Sequence, residues 1–134
     1  MNRLLIDTNI YSNALKGESI IVTTLQKANE IGITSISLGE LLSGFKGGNK
    51  EQRNREELNK FLDSPRVTVY SADESTADFY AEILDGLRKI GKPIPTNDIW
   101  IAAIAFQYGF KLYSNDEHFR NIAGLLFLNN YRSQ

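Results

Sequence analysis

Four acidic residues stand where chemistry is possible: Asp7, Glu40, Asp98 and Asp116. Asp7 closes the apolar run Leu4-Leu5-Ile6 and precedes Thr8-Asn9-Ile10, which puts it at the edge of a core. Asp98 is followed at once by Ile99-Trp100-Ile101-Ala102-Ala103. An unpaired carboxylate on so apolar a helix is very costly, and no Lys or Arg adjoins it to offset the charge. Divalent cations are the natural partners. Magnesium and manganese prefer carboxylate and water oxygens, and the chain has no Cys and a single His. That composition excludes thiolate sites, Cys nucleophiles, disulfide scaffolds and His-rich zinc centres. Four acids around one or two hard ions suit metal-assisted attack of water on a phosphodiester. Each acid also has a plain structural use. Asp7 can cap a helix starting near Thr8, and Ser37-Leu38-Gly39-Glu40 fits a capping box. Asp98 suits the positive end of its helix after Thr96, and Asp116 can cap a helix through Phe119.

The elements that must position these acids alternate in type. Leu4-Leu5-Ile6 reads as a buried strand, followed by helices over Thr8–Lys16 and Glu18–Glu30, with Gly32 stopping the second. Ile33–Ile36 reads as the second strand. Ser37 opens a helix with the stripe Leu38, Leu41, Leu42 and Phe45, and after Gly47-Gly48-Asn49 a polar helix covers Glu51–Leu62. Val67–Tyr70 is the third strand. Asp73–Ile90 is a long amphipathic helix with Ala77, Tyr80, Ala81, Leu84 and Leu87 on one face. Gly91–Pro95 breaks it, and Ile99–Tyr108, apolar nearly all round, reads as deeply buried and capped by Gly109. Phe110–Ser114 and Leu125–Leu128 complete the strands. With no hairpin signal, the expected fold is α/β: one domain over residues 1–134, a central mostly parallel sheet of four to five strands flanked by helices. In such sheets ligands bind at the carboxyl ends of the strands, and all four acids fall near a strand exit or a helix start.

At 134 residues the chain can bury one sizeable core without staples. The net charge of -1 argues against a general nucleic-acid coating protein. With the four acids set apart, 15 Lys and Arg face 12 Asp and Glu, so the remainder is mildly basic. The basic residues gather in two stretches: Lys46, Lys50, Arg53, Arg55, Lys60 and Arg66, then Arg88, Lys89 and Lys92. These suit solvated helix faces or a phosphate-binding surface equally well. No apolar run is long enough to span a membrane, and Met1-Asn2-Arg3 leads too soon to Asp7 for a signal peptide, so the expected location is the cytoplasm.

Four motifs together resemble PIN-domain ribonucleases. Leu5-Ile6-Asp7-Thr8-Asn9 looks like the opening motif of that family. Ile36-Ser37-Leu38-Gly39-Glu40-Leu41, followed by Gly44, looks like the second. Pro95-Thr96-Asn97-Asp98-Ile99-Trp100-Ile101-Ala102-Ala103 is similar to the third, and Leu112-Tyr113-Ser114-Asn115-Asp116-Glu117-His118-Phe119 to the fourth. The match spans essentially the whole chain in the right order, and its length and Gly91–Pro95 loop look most like VapC-type toxins of toxin–antitoxin pairs. The resemblance implies a Mg2+- or Mn2+-dependent endoribonuclease, an RNA substrate, a small antitoxin partner and a homodimer. It assigns Asp7, Glu40, Asp98 and Asp116 to catalysis and metal binding. Ser114 stands where the family often has Thr, and either hydroxyl serves a ligating acid. Thr8, Asn9 and Asn97 flank the acids, either orienting them or serving turn and capping chemistry.

Tyr11, Phe45 and Lys46 are expected contacts for RNA or partner. An antitoxin Arg or Lys would enter the acidic pocket, and Ile10, Tyr11, Leu42 and Phe45 would line a groove for its amphipathic segment or else belong to the core or a homodimer face. His118, beside Phe119, is expected to be structural or superficial, and Trp100 and Phe106 to be core. The competing reading is a non-catalytic PIN domain that binds RNA or protein. A signalling receiver domain would need paired acids after the first strand and an Asp ending the third, but Asp7 stands alone and the third strand ends Tyr70-Ser71.

Overall fold

The computed structural model describes residues 2–130, and alternation of strand and helix organises all of them. Strand β1 (Arg3–Ile6) leads to α1 (Thr8–Leu15) and α2 (Ser19–Gln26). Then come β2 (Glu30–Thr34), α3 (Ser35–Lys46), α4 (Glu51–Leu62) and β3 (Val67–Tyr70). The chain continues through α5 (Glu74–Ile90), α6 (Thr96–Tyr108), β4 (Lys111–Tyr113), a 3-10 helix (Glu117–Asn121) and β5 (Phe127–Leu128). No helix among the described residues is long and apolar enough to cross a membrane.

The strands form one sheet in the order β3-β2-β1-β4-β5, and every pairing is parallel. Strand period two explains the two-sided core. Leu4 and Ile6 of β1 pack with Ile10, Tyr11, Ile21, Ile33 and Tyr113 on one face. Leu5 packs on the other face with Ile99, Ile101–Ala105 and Phe110. Helix α6 supplies most of that second layer, and the expectation of a deeply buried helix there holds. It starts earlier than expected, at Thr96, so Asp98 lies inside its first turn.

The strand order reverses at β1: the chain runs outward through β2 and β3 on one side, and through β4 and β5 on the other. Such a switch leaves a crevice beyond the carboxyl ends of the two central strands. Ile6 is in register with Tyr113, so the next residues, Asp7 and Ser114, exit side by side into it.

Several boundaries differ from the sequence reading, for physical reasons. Helix α2 ends at Gln26, and Gly32 lies inside β2 opposite Leu5 instead of stopping a helix. A Cβ there would stand 2.9 Å from Leu5 Cδ1 and 3.0 Å from Phe110 Cζ, so the glycine serves close packing of β2 against the core. Gly32→Val is expected to cost about 1–3 kcal/mol by overpacking, checked by urea denaturation. On α5, Ile83 turns inward with Tyr80, Leu84 and Leu87, while Ala77 and Ala81 are exposed. Phe106 and Trp100 are only half-buried, Trp100 stacking on Tyr80 at 4.1 Å.

Candidate active site

Asp7, Glu40, Asp98 and Asp116 all line one cleft of about 260 Å³, together with Thr8, Asn9 and Ile101. Four separate elements deliver them. Asp7 follows β1 and caps α1, its Oδ1 accepting from the Ile10 N–H at 2.9 Å. Its Oδ2 accepts a short hydrogen bond from the Ser114 hydroxyl. The same Ser114 Oγ accepts from the Asp116 N–H at 3.0 Å, so one buried hydroxyl ties two of the acids together. Asp116 caps the 3-10 helix. Asp7 and Asp116 thus cap a helix and line the cleft at once.

Glu40 is different. The cap of α3 is Thr34, whose Oγ1 accepts from the Ser37 N–H at 3.0 Å, not Ser37 itself. Glu40 is therefore released from the expected capping box and reaches the cleft. There its carboxylate accepts from Thr8 Oγ1 at 2.9 Å and from Asn97 Nδ2 at 3.4 Å. Of the residues expected to orient the acids, Thr8, Asn97 and Ser114 contact them. Asn9 lines the cleft without a side-chain hydrogen bond among the described residues.

His118 is the feature that the sequence reading placed elsewhere. It does pack on Phe119, with ring centroids 4.8 Å apart, but its imidazole also bridges two cleft acids. Nε2 lies 2.7 Å from Asp98 Oδ2, and Nδ1 lies 2.9 Å from Asp116 Oδ1. The signal available in the sequence was its position two residues after Asp116, on the turn that the acid caps. His118→Ala is expected to weaken divalent-metal affinity roughly 10- to 100-fold, because Asp98 and Asp116 lose their common partner. Isothermal titration with Mn2+ checks this.

The contact assignments change as well. Tyr11 is 2% exposed and packs edge-on against Phe61 at 5.0 Å, and Ile10 is fully buried, so neither is available to RNA or to an antitoxin. The Tyr11 hydroxyl is pushed up to about 12, first by burial and then by Glu57. Leu42 and Phe45 are half-buried against the same core. Lys46 is exposed, with its Nζ 2.9 Å from Glu51. Arg66 donates through one Nη to the Leu25 and Ala28 carbonyls, which ties its guanidinium to the end of α2.

The electrostatics are those of crowded acids. Burial raises the Asp7 carboxyl above its ordinary value, with Asp116 and Glu40 adding repulsion, against the lowering hydrogen bonds from Ser114 and Ile10. Burial likewise raises Asp98, opposed by His118. Among the raising causes, desolvation leads and mutual repulsion follows. Carboxylate oxygens converging at an open cleft match the ligand preference of hard divalent ions. Ligand atoms of Asp98, Asp116 and His118 lie within 4.8 Å of one another, close enough to share an ion.

A parallel sheet with four carboxylates at its switch point defines a class, and the PIN-domain family model matches residues 4–125, so the chain belongs to the PIN-domain family. Within that family its relatives include VapC proteins. It is 31% identical to ribonuclease VapC2 of Haemophilus influenzae over 87% of this chain and 88% of that one. It is 32% identical to ribonuclease VapC2 of Rickettsia felis over 78% of each. A chain of the Rickettsia felis VapBC2 structure, solved bound to a promoter DNA fragment, superposes with a TM-score of 0.86 at 29% identity, covering 95% of this chain and 98% of that one.

Proposed function

We propose that this protein is a metal-dependent endoribonuclease acting as the toxin of a toxin–antitoxin pair. The observation that carries the reading is the convergence of Asp7, Glu40, Asp98 and Asp116 on one cleft at the sheet's switch point. The ribonuclease VapC relatives support it. Asp7, Asp98, Asp116 and Glu40 would hold Mg2+ or Mn2+. When bound, the ion supplies Lewis-acid activation of water and neutralises charge on the phosphate.

The chain's own groups set the geometry. Ser114 and the Ile10 N–H fix both oxygens of Asp7, and Thr8 and Asn97 fix Glu40. His118 orients Asp98 and Asp116 without any need to act as the base. Single-stranded RNA is the preferred substrate, since a narrow crevice beyond the carboxyl ends of the central strands admits a splayed strand more readily than a rigid duplex. The protein works in the cytoplasm as a homodimer, restrained by a small antitoxin. A basic antitoxin side chain entering the cleft would pair with the carboxylates and compete with metal.

Mapping RNA ends after brief expression in cells tests the reading. Discrete new ends that vanish on co-expression of the adjacent small reading frame are expected. An unchanged end profile would contradict it and favour a non-catalytic PIN domain.

A further inference from the structure

The second basic stretch resolves into two parts. Lys89 is held by Asp85 at 2.9 Å. Arg88 and Lys92 are exposed, and neither forms an ion pair among the described residues. Both line a cavity of about 400 Å³ whose other walls are mainly apolar: Leu84, Leu87, Pro93, Ile94 and Ile99. The turn that shapes it is built in. Gly91 ends α5 with φ +68, a left-handed conformation suited to glycine. Its N–H donates to the Arg88 carbonyl at 3.1 Å, and the Lys92 N–H donates to the Leu87 carbonyl at 3.1 Å. This pins Lys92 beside Arg88 and sends Pro93-Ile94-Pro95 across to α6.

Helix α6 joins this cavity to the acidic cleft. Thr96 and Ile99 line the cavity, while Asp98 and Ile101 line the cleft. At about 3.6 residues per turn these pairs occupy roughly opposite sides of one helix, so the two sites are separated by about one helix diameter, ~10–12 Å. A short stretch of single strand spans that distance. Two unpaired cations beside an apolar cavity complement a nucleotide, whose phosphate is anionic and whose base is flat and poorly hydrated on its faces.

We propose that the cavity bounded by Leu84, Leu87, Arg88, Lys92, Ile94 and Ile99 is an RNA subsite holding a nucleotide that flanks the scissile phosphate. Its base lies against the apolar wall and its phosphates on Arg88 and Lys92. The inference rests on the nuclease reading and adds to it where the strand runs: from the acidic cleft over the start of α6 toward the end of α5.

The test uses the full chain carrying Asp98→Asn, so that RNA is bound and not consumed, with Mg2+ present. Binding of a short, randomised, fluorescein-labelled single-stranded RNA is followed by anisotropy over a salt series. Adding Arg88→Glu and Lys92→Glu is expected to weaken binding at least about tenfold. The neutral pair Arg88→Gln and Lys92→Gln, which keeps size and polarity, is expected to reduce the salt slope by about 1.4, at ~0.7 per single-strand phosphate contact. Arg88→Lys with Lys92→Arg should keep both affinity and slope. In the otherwise active chain the Glu pair should raise KM far more than it lowers kcat. Unchanged affinity and slope in the Glu and Gln pairs, while the wild-type chain still cuts RNA, overturns the subsite alone. Failure of the wild-type chain to cut RNA overturns the nuclease reading and the subsite with it. Loss of antitoxin co-purification with RNA affinity intact would make the cavity a protein-docking face and also overturn the subsite.

Discussion

Asp98→Asn is expected to abolish RNA cleavage, at least about a thousandfold, while the protein stays folded. The substitution keeps the shape of the side chain and removes a charge that a divalent ion needs. Loss of several kcal/mol of transition-state stabilisation is a loss of that order, at ~1.4 kcal/mol per tenfold. Folding should not suffer, because burial already raises the Asp98 carboxyl and the metal-free fold carries that charge at a cost. The melting temperature of metal-free Asp98→Asn at neutral pH should therefore equal or exceed that of the parent. Cleavage that survives the change would remove Asp98 from the centre. A collapse in melting temperature would mean that its charge is structural, held by His118 at 2.7 Å.

Metal is expected to stabilise the protein strongly, and more at neutral than at acidic pH. Asp7 and Asp98 are both raised in the folded state, burial being the leading cause. The unfolded chain releases these protons near the ordinary value of 3.8, the folded chain only at higher pH. Their contribution to stability is thus complete below the unfolded value and is lost as pH rises through the folded values. At neutral pH the metal-free cleft is at its least favourable, and a divalent ion offsets the charge that burial penalises. At 100 times its Kd an ion adds ~2.7 kcal/mol, or roughly 10 °C in a domain of this size. Scanning fluorimetry with Mn2+ should show that shift at pH 7.5 and a smaller one at pH 5. No shift, or a larger one in acid, would contradict a carboxylate metal centre.

Much of the centre was legible because its residues break local patterns. Asp7 ends an apolar strand, and Asp98 opens an apolar helix with no cation adjoining it. The alternation of elements likewise announced a parallel sheet. What stayed hidden depended on register and on competition among neighbours. Gly32 reads as a helix stop by its type, yet it is buried in β2 because Leu5 and Phe110 close over it. Ser37 reads as the cap before Glu40, but Thr34 takes that duty, and only the backbone path decides between them. Tyr11 is polar enough to suggest a contact surface, but α1 turns it toward Phe61. His118 looked peripheral because nothing local shows that α6 brings Asp98 within reach of its Nε2.

The central claim is that four carboxylates support attack of water on RNA through a divalent ion. The most direct measurement is the chemistry of the ends left by the purified chain acting on an end-labelled single-stranded RNA, with Mn2+ or with EDTA. The account predicts cleavage with Mn2+ alone, no 2′,3′-cyclic phosphate among the products, and continued cleavage when the ribose 2′-hydroxyl at the cut is methylated. Cleavage persisting in EDTA, or cyclic phosphate ends, would make the ribose hydroxyl the nucleophile and contradict it.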